Sequence, residues 1–313
     1  MAKQTASTLL MIEPVAFGYN HQTAENNYFQ QRANDSASLV QEKALQEFRQ
    51  MTAILQSKGI DLIVVQDRLE PHTPDSIFPN NWISFHEEGT VVIYPMFAPN
   101  RRLEKRADIL KEGFIVQNIL DYSHFENQGI FLEGTGSMVL DRTNRIAYAA
   151  LSERTHLSLF LQFCGELHFT PCYFYANQTV GTERLPVYHT NVMMSVGDRY
   201  AVVCLDSIDD AVEKQAVVQS LRGSGKEIIE ISEAQMHGFA GNMLQVENRE
   251  GKKIAVLSET ACQSLTAKQI ESLSAYSELV SIPIPTIEKT GGGSVRCMIA
   301  EIFLPKEKRY ECQ

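Results

Sequence analysis

Three side chains that could together form a nucleophilic site lie far apart in the sequence. Cys297 follows a run of three glycines at 291–293, His189 follows Tyr188, and Glu133 follows an apolar pair. A thiol, an imidazole and a carboxylate can act as nucleophile, general acid/base and orienting group. Each residue alone is more often structural, because a lone cysteine in an apolar strand usually packs as a small hydrophobe. The chemistry therefore depends on whether the fold brings the three together.

A repeat of about fifty residues predicts how they meet. Each unit reads as a hairpin, a helix and a further strand, and the hairpins begin at residues 81, 137, 191, 242 and 294, each an Asn or Ser before an apolar strand. The last unit is divided: its hairpin segment is 294–299, while a helix near 38–57 and a strand at 61–65 lie near the N-terminus. Five near-equal units fit a ring better than an open stack, because a ring has no end units to cap.

We therefore predict an α/β fold, a five-bladed propeller of ββαβ-type units around a pseudo-five-fold axis, as a single domain over residues 1–313. The other predicted helices are 103–112, 153–164, 209–222 and 266–276, and the other predicted third strands are 114–116, 167–175, 227–231 and 279–284.

A ring also predicts which residues face one another, since equivalent positions of every unit lie at the same end of its axis. These positions, just before or inside the first hairpin strand, carry polar or reactive groups in four of the five units. They are Asp75, Asn80 and Asn81, then Glu133, then His189, then the apolar stretch 239–241, and finally Cys297.

Composition excludes several classes of function. The chain has 313 residues, with 28 Lys+Arg against 38 Asp+Glu and a net charge of −10. An acidic balance without a basic stripe argues against nucleic acid or an anionic membrane as partner. The short cluster Arg101, Arg102, Lys105 and Arg106 reads as the solvated face of a helix. No apolar stretch approaches the roughly 18 residues of a membrane span.

Six cysteines are present, at 164, 172, 204, 262, 297 and 312, without CxxC or paired-ligand spacing. That usage predicts reduced thiols in the cytoplasm and neither a disulfide framework nor a zinc site. We expect no metal and no organic cofactor.

The ordered motifs resemble those of the guanidino-group-modifying enzymes of the pentein superfamily, which includes arginine deiminases, dimethylarginine dimethylaminohydrolases and amidinotransferases. The resemblance covers residues 75 to 297. It is carried by the segments 74–78 with Asn80-Asn81, Arg101-Arg102, 132–134, 152–155, 188–191 and 291–297.

This resemblance implies the five-bladed propeller and a role for each matched residue. Cys297 would be the nucleophile, His189 the general acid/base and Glu133 the carboxylate contacting the reacting nitrogens. Asp75 would hold the terminal nitrogens of the substrate. Arg154 would bind the α-carboxylate of the substrate, since a guanidinium forms bidentate bonds to a carboxylate. Arg101 would either share this role or be an ordinary surface arginine.

Two departures from the family pattern concern the charge around the substrate. Asn80-Asn81 stands where arginine-hydrolysing relatives commonly have an acidic pair, and Thr190-Asn191 follows His189 where deiminases typically place an aspartate. A guanidinium has only donors, whereas an amide side chain offers both a donor and an acceptor and no charge. Both departures favour a neutral ureido group, and the sequence looks similar to the citrulline-utilisation hydrolase branch. Succinylarginine dihydrolases also depart from the acidic pattern and still process a guanidine.

The expected function is hydrolysis of L-citrulline to ornithine, carbon dioxide and ammonia through a covalent intermediate on Cys297. Alternatives are an arginine deiminase or an amidinotransferase acting on a guanidino substrate, and a non-catalytic propeller that only binds ligands. A thiol redox protein is disfavoured because no CxxC partner is present. The expected partner is a small amino-acid substrate, with a homo-oligomer left open. The sequence also leaves open whether the polar stretch 22–34 covers the site.

Overall fold

The computed structural model describes residues 3–106, 108–109 and 113–307, which form an α/β fold of small sheets joined by helices. The strands are β1 (Thr8–Glu13), β2 (Asp61–Gln66), β3 (Ile83–Phe85), β4 (Thr90–Ile93), β5 (Asn118–Asp121), β6 (Val139–Asp141), β7 (Ile146–Leu151), β8 (Thr170–Tyr175), β9 (Asn177–Val180), β10 (Glu183–Pro186), β11 (Met194–Val196), β12 (Tyr200–Val203), β13 (Glu227–Glu230), β14 (Leu244–Glu247), β15 (Lys253–Ser258), β16 (Glu278–Ile282) and β17 (Ala300–Ile302). The helices are α1 (Ala37–Ser57), α2 (Gly134–Ser137), α3 (Leu157–Glu166), α4 (Thr190–Met193), α5 (Ala211–Gly223), α6 (Glu233–His237), α7 (Glu259–Ser264), α8 (Ala267–Ser274) and α9 (Pro285–Gly291).

One sheet topology recurs through the described residues. The first strand pairs antiparallel with the second, and the second pairs parallel with the third. This pattern holds for β3–β4–β5, β6–β7–β8, β11–β12–β13, β14–β15–β16 and β17–β1–β2. In the last sheet Thr8 lies opposite both Ile302 and Asp61, so both ends of the chain supply strands to one unit, as predicted.

Several element boundaries differ from the predictions. In the last unit, Val295–Met298 form a 3-10 turn and the first strand begins only at Ala300, because β1 pairs with that later segment. The predicted strand 114–116 is wrong, since the third strand of its sheet is β5. The predicted helix 103–112 is replaced at its start by a 3-10 segment, Pro99–Glu104, and its positions 107 and 110–112 lie outside the described residues. The β9–β10 hairpin was not predicted.

Helix α1 shows why the sequence forms these elements where it does. Ser36 caps its N-terminus by accepting a hydrogen bond from the Leu39 N–H. Its apolar residues recur every three or four positions and form one buried stripe, which packs against β1, β2 and α9. Each large side chain of such a stripe stabilises the fold by roughly 1.5–3 kcal/mol. The buried residues of this stripe are Val40, Ala44, Phe48, Met51 and Leu55.

Short helical turns placed before the first strands bring the sheets together on the side of the candidate site. The 3-10 turn Pro79–Asn81 contacts both α2 and the turn Val295–Met298, and α2 in turn contacts α4. Residues from four sheet units therefore share one neighbourhood. None of the described helices is both long and apolar enough to cross a bilayer.

Candidate active site

A small buried cavity collects most of the residues singled out in the sequence. Cys297, His189, Asp75 and Asn81 line it. The remaining lining residues are Phe78, Arg101, Arg154, Tyr188 and the glycines 291–293, together with Thr23 and Asn27 from a segment that covers the cavity. Glu133 and Asn80 do not line the cavity. Glu133 lies behind His189 and contacts its imidazole, and Asn80 is buried beside Asn81. The residues from distant units thus meet as the repeat predicted.

Cys297 lies in the 3-10 turn that precedes β17, and its backbone N–H donates to the Ser294 carbonyl. The preceding Gly292 has a φ of 63°, in the left-handed region that favours glycine. A side chain at Gly292 would collide with Asn27, so glycine also permits the close approach of the covering segment. Cys297 lines the cavity and is only 3% exposed.

Two amide side chains surround the sulfur of Cys297. Asn242 Nδ2 lies 3.3 Å from the Sγ atom, and Asn191 Nδ2 lies 3.6 Å from it. Asn242 was not predicted as a site residue, because its unit was judged by the apolar stretch 239–241. The available signal was the repeat itself, since Asn242 begins a hairpin as Asn81 and Asn191 do.

His189 and Glu133 form a buried pair. The His189 Nε2 atom lies 2.7 Å from the Glu133 Oε2 atom. Burial lowers the pKa of His189 to about 4, although the contact with Glu133 acts in the opposite direction. Burial by itself would raise the pKa of Glu133, but Arg154 and His189 overcome it and hold that pKa at about 2. At neutral pH the pair is therefore a neutral imidazole donating to a carboxylate.

Backbone and cationic groups fix the Glu133 carboxylate further. The Phe97 N–H donates to Oε1 at 2.9 Å, and Arg154 Nη1 lies 3.6 Å from Oε2. The side chain is fully buried at the start of α2. These contacts leave Glu133 ionised and rigid, which suits a group that orients an imidazole.

Asp75 places a carboxylate in the wall of the cavity. Its Oδ2 atom accepts from Asn20 Nδ2 at 2.7 Å and from Thr23 Oγ1 at 3.3 Å, while Arg101 Nε lies 3.9 Å away. Its Oδ1 atom is buried with no hydrogen-bond partner among the described residues. Burial raises the pKa of Asp75, partly opposed by Arg101. A ligand N–H would satisfy this orphan acceptor.

Arg101 is buried at the site and does not lie on a solvated helix face, contrary to that expectation. Its Nε and Nη2 atoms each donate at 2.9 Å to the carboxylate of Glu104, and this bidentate pair fixes the position of the guanidinium in the cavity wall. Its Nη2 also donates to the Phe78 carbonyl at 3.2 Å. Protein groups therefore use most of the donors of Arg101.

The remaining donor group of Arg101 sets the orientation of two amides. Arg101 Nη1 donates to Asn81 Oδ1 at 2.7 Å. Because a guanidinium has only donors, the oxygen of Asn81 must face Arg101. Asn81 Nδ2 then donates to Asn80 Oδ1 at 3.0 Å and keeps a second N–H. A Cβ built on Gly136 would come close to both Asn81 Nδ2 and His189 Nδ1, so this donor lies on the His189 side of the cavity.

The segment 20–31 covers the cavity and is held by the site residues. Asn26 Oδ1 accepts from Arg154 Nε at 2.9 Å, and the Thr23 carbonyl accepts from Arg154 Nη2 at 3.0 Å. The Arg154 guanidinium also lies 4.9 Å from the Tyr188 ring centroid. The free volume beneath this segment is about 10 Å³, enough for roughly one water molecule. In this arrangement of the segment, the cavity is therefore too small to hold an amino acid.

The described residues also bear on metal binding and on the state of the thiols. Within the described ranges, no group of three or more His, Cys, Asp or Glu side chains has the geometry to hold a metal ion. The five described cysteines form no disulfide, and Cys312 lies outside the described residues.

Comparison with known proteins identifies relatives over almost the whole chain. A family model described as N,N dimethylarginine dimethylhydrolase, eukaryotic, matches residues 13–304. No curated protein matches the sequence.

Solved structures share the fold at low sequence identity. ArgZ, an arginine dihydrolase from the ornithine-ammonia cycle in cyanobacteria, superposes with a TM-score of 0.74 at 16% identity, over 95% of this chain and 41% of that one. AgrE in complex with ornithine and NAD⁺ gives 0.74 at 16% identity, over 96% and 40%. A dimethylarginine dimethylaminohydrolase adduct with S-methyl-L-thiocitrulline gives 0.61 at 14% identity, over 96% and 100%. The chain thus spans about two fifths of full-length ArgZ and AgrE.

Proposed function

The chain belongs to the N,N dimethylarginine dimethylhydrolase family, among the guanidino-modifying hydrolases of the pentein superfamily, and on that premise we propose that it hydrolyses L-citrulline to ornithine, carbon dioxide and ammonia. One observation carries the choice of citrulline: the oxygen of Asn81 accepts from Arg101, so the amide NH₂ of this cavity-lining residue keeps a second N–H that can serve a ligand. A ureido carbonyl accepts such a donor, whereas a guanidinium offers only further donors.

Asp75 and Arg154 would hold the two ends of the substrate. The unpartnered Oδ1 of Asp75 matches the terminal NH₂ of the ureido group. Arg154 would bind the α-carboxylate once the segment 20–31 moves, because its present partners Thr23 and Asn26 belong to that segment. Arg101 is less suited to this role, since its guanidinium already donates hydrogen bonds to Glu104 and Asn81.

The first half of the reaction forms a covalent intermediate. Neutral His189 accepts the proton of the Cys297 thiol as the sulfur attacks the ureido carbon, and the Asn81 N–H stabilises the developing oxyanion. The C–N bond to the ornithine side chain breaks, and the imidazolium donates its proton to the departing amine. Ornithine leaves, and a carbamoyl group remains on the sulfur.

Water completes the cycle. His189, neutral again, removes a proton from a water molecule that attacks the carbamoyl thioester, and the Cys297 thiolate leaves and is reprotonated. The product, carbamic acid, decomposes to carbon dioxide and ammonia. Glu133 keeps its charge throughout, holding the Nε2–H of the imidazole so that the Nδ1 atom transfers the protons.

We further propose that the five sheets surround a pseudo-five-fold axis in one catalytic domain. Consecutive units contact one another in the order expected for a ring, with β17 against β3, β6 against β11 and β11 against β14. The fifth sheet, assembled from both ends of the chain, would close the ring. The free cysteines support a cytoplasmic location.

A guanidino substrate is the second candidate, because the family model names dimethylarginine and the orphan Oδ1 of Asp75 would also accept from a guanidinium. The test supplies citrulline, arginine or dimethylarginine in separate reactions and quantifies ornithine, citrulline and ammonia. Ornithine from citrulline supports the proposal. Citrulline accumulating from arginine or dimethylarginine, with citrulline itself inert, would overturn it in favour of a deiminase-type activity.

A further inference from the structure

We propose that Asn242 is a positioning residue for the nucleophile: its amide N–H, assisted by Asn191, holds and stabilises the Cys297 thiolate in place of a charged partner. The inference rests on the proposed role of Cys297 and adds a residue that neither the sequence motifs nor the family resemblance singled out.

The orientation of the Asn242 amide is fixed by its surroundings. The Arg296 N–H donates to Asn242 Oδ1 at 3.1 Å. Since a backbone N–H is only a donor, the oxygen must face it and the NH₂ group must face the sulfur. That NH₂ lies 2.9 Å from the Asn191 carbonyl and 3.3 Å from Cys297 Sγ. Both of its hydrogens are therefore used, one of them on the sulfur.

The same contacts tie the amide to the turn that carries the nucleophile. Arg296 directly precedes Cys297 in the turn Val295–Met298, so the Asn242 side chain contacts this turn at two points, the Arg296 backbone N–H and the Cys297 sulfur. Asn242 is fully buried. A buried donor loses no bond to water when it binds a thiolate, which makes its hydrogen bond to the charged form stronger than one at the surface.

Other groups near the sulfur give little help in the free enzyme. His189 is a neutral imidazole at neutral pH, and Arg154 and Arg101 are engaged by Glu133 and Glu104. A ureido substrate brings no positive charge. Asn191 offers a longer contact of 3.6 Å. Stabilisation of the thiolate therefore falls mainly to the Asn242 donor, since hydrogen bonds to the charged form of a group favour that form.

Asn242 does not line the cavity, whereas Asn81, which also lies two residues before the first strand of its unit, does. The repeat thus uses one position for the substrate in one unit and for the nucleophile in another. A residue behind the sulfur should affect the rate of the chemical step and leave substrate binding nearly unchanged.

The test measures the alkylation rate of Cys297 by iodoacetamide against pH, followed by peptide mass spectrometry so that the other cysteines are counted separately. Full-length wild type, Asn242→Asp and Asn242→Leu are compared. Losing one hydrogen bond to a charged group corresponds to at least about tenfold. We expect both variants to react at least about tenfold more slowly at pH 7, with the midpoint of the profile moved to higher pH, and the shift to be larger for Asp because its charge repels a thiolate.

Asn248→Asp is the matched control, because Asn248 is also a nearly buried asparagine but donates to the Lys58 carbonyl. Circular dichroism and thermal melting check that each variant is folded, and Asn242→Asp keeps the acceptor for the Arg296 N–H if the Leu variant fails to fold. With citrulline, kcat should fall and KM stay within about twofold, since the residue is outside the cavity.

An alkylation midpoint equal to that of wild type in a folded Asn242→Asp protein would overturn the proposal. Because alkylation requires no substrate, this result is independent of citrulline turnover. A wild-type enzyme inert toward citrulline, but with the shifted profile in the variants, would reject the proposed substrate and retain the role of Asn242.

Discussion

The Nε2 atom of His189 lies 2.7 Å from the Oε2 atom of Glu133, and both side chains are buried. With Glu133 ionised, the shared proton belongs to Nε2. The Nδ1 atom of the imidazole is then the free base, and it lies on the side of Asn81, near Gly136. In the proposed mechanism, Nδ1 is therefore the nitrogen that transfers protons.

The pH dependence of turnover follows from this pair. Since burial lowers the pKa of His189 to about 4, the imidazole is a neutral base at any pH above that value and is lost as a base below it. We expect the acidic limb of kcat/KM for citrulline near pH 4, well below the ordinary histidine value of about 6.5. Measured profiles in overlapping buffers check this, with enzyme stability verified at each pH.

The same pH profile measured on the Glu133→Gln variant tests the influence of the carboxylate on His189. Removing the charge takes away the influence that raises the pKa of His189, so any remaining acidic limb should move to still lower pH while kcat falls. A limb near pH 6.5 in the wild-type enzyme would contradict the buried neutral imidazole.

Replacing the nucleophile should abolish turnover without unfolding the protein. Cys297→Ser removes the thiol but preserves the turn. We expect ornithine release to fall at least about a thousandfold, because a serine hydroxyl loses its proton much less readily than a thiol and is a weaker nucleophile. Cys204→Ser is the control, since Cys204 is also buried but bonds to Ser207. Retained activity in Cys297→Ser would remove the residue from the mechanism.

The orientation of Asn81 predicts a change in substrate preference. Asn81→Asp keeps an acceptor for Arg101 and replaces the free N–H with a charged oxygen. We expect kcat/KM for citrulline to fall at least about tenfold, as for the loss of a bond to a developing charge, and the ratio of arginine to citrulline turnover to rise. Parallel assays with both amino acids measure this ratio.

Asn80→Asp adds the same negative charge at a residue that does not line the cavity. Comparing the two variants therefore separates the effect of the added charge from the effect of losing the Asn81 donor. An equal change in preference from both variants would show that overall negative charge, and not the donor of Asn81, selects the substrate.

The covering segment predicts an effect of Asn26. Its side chain binds Arg154, the residue proposed for the α-carboxylate. Asn26→Ala removes the contacts of Asn26 Oδ1 with Arg154 and leaves only the Thr23 carbonyl of the segment on the guanidinium, which weakens the closed arrangement. We therefore expect faster alkylation of Cys297 in the absence of substrate, because the reagent reaches the cavity more easily. Gln31→Ala is a suitable control, since Gln31 holds the same segment by its backbone N–H alone. Equal alkylation rates for wild type and Asn26→Ala would contradict a segment that limits access.

The order of elements was largely readable from the sequence, because hairpin turns and strand alternation are local signals. The division of the last unit between the termini was predicted because its hairpin segment lies near the C-terminus while its helix and third strand lie near the N-terminus. The position of its first strand was not, because Ser294–Ile299 is as apolar as a strand and only the pairing of Thr8 with Ile302 decides where the ladder begins.

The sequence singled out residues of distinctive chemistry that the structure brings together, and it passed over a neighbouring amide. Cys297, His189, Glu133 and Asp75 differ from their apolar neighbours, so their types marked them. Asn242 stands in an unremarkable stretch, and its proposed role rests on the 3.3 Å between its amide nitrogen and the Cys297 sulfur. Arg101 was assigned to a solvated face because the sequence shows four nearby cations and cannot show that Glu104 is buried with it.

The sequence by itself determined the repeat, the family and the residue types at the equivalent positions, because periodicity and residue type are properties of the sequence that need no long-range contact. Only the tertiary structure decided which way the amides of Asn81 and Asn242 point, that His189 is neutral, and that the segment 20–31 covers the cavity. These properties depend on burial and on donors such as Arg101 and the Arg296 N–H, which contact the amides only after distant parts of the chain have packed together.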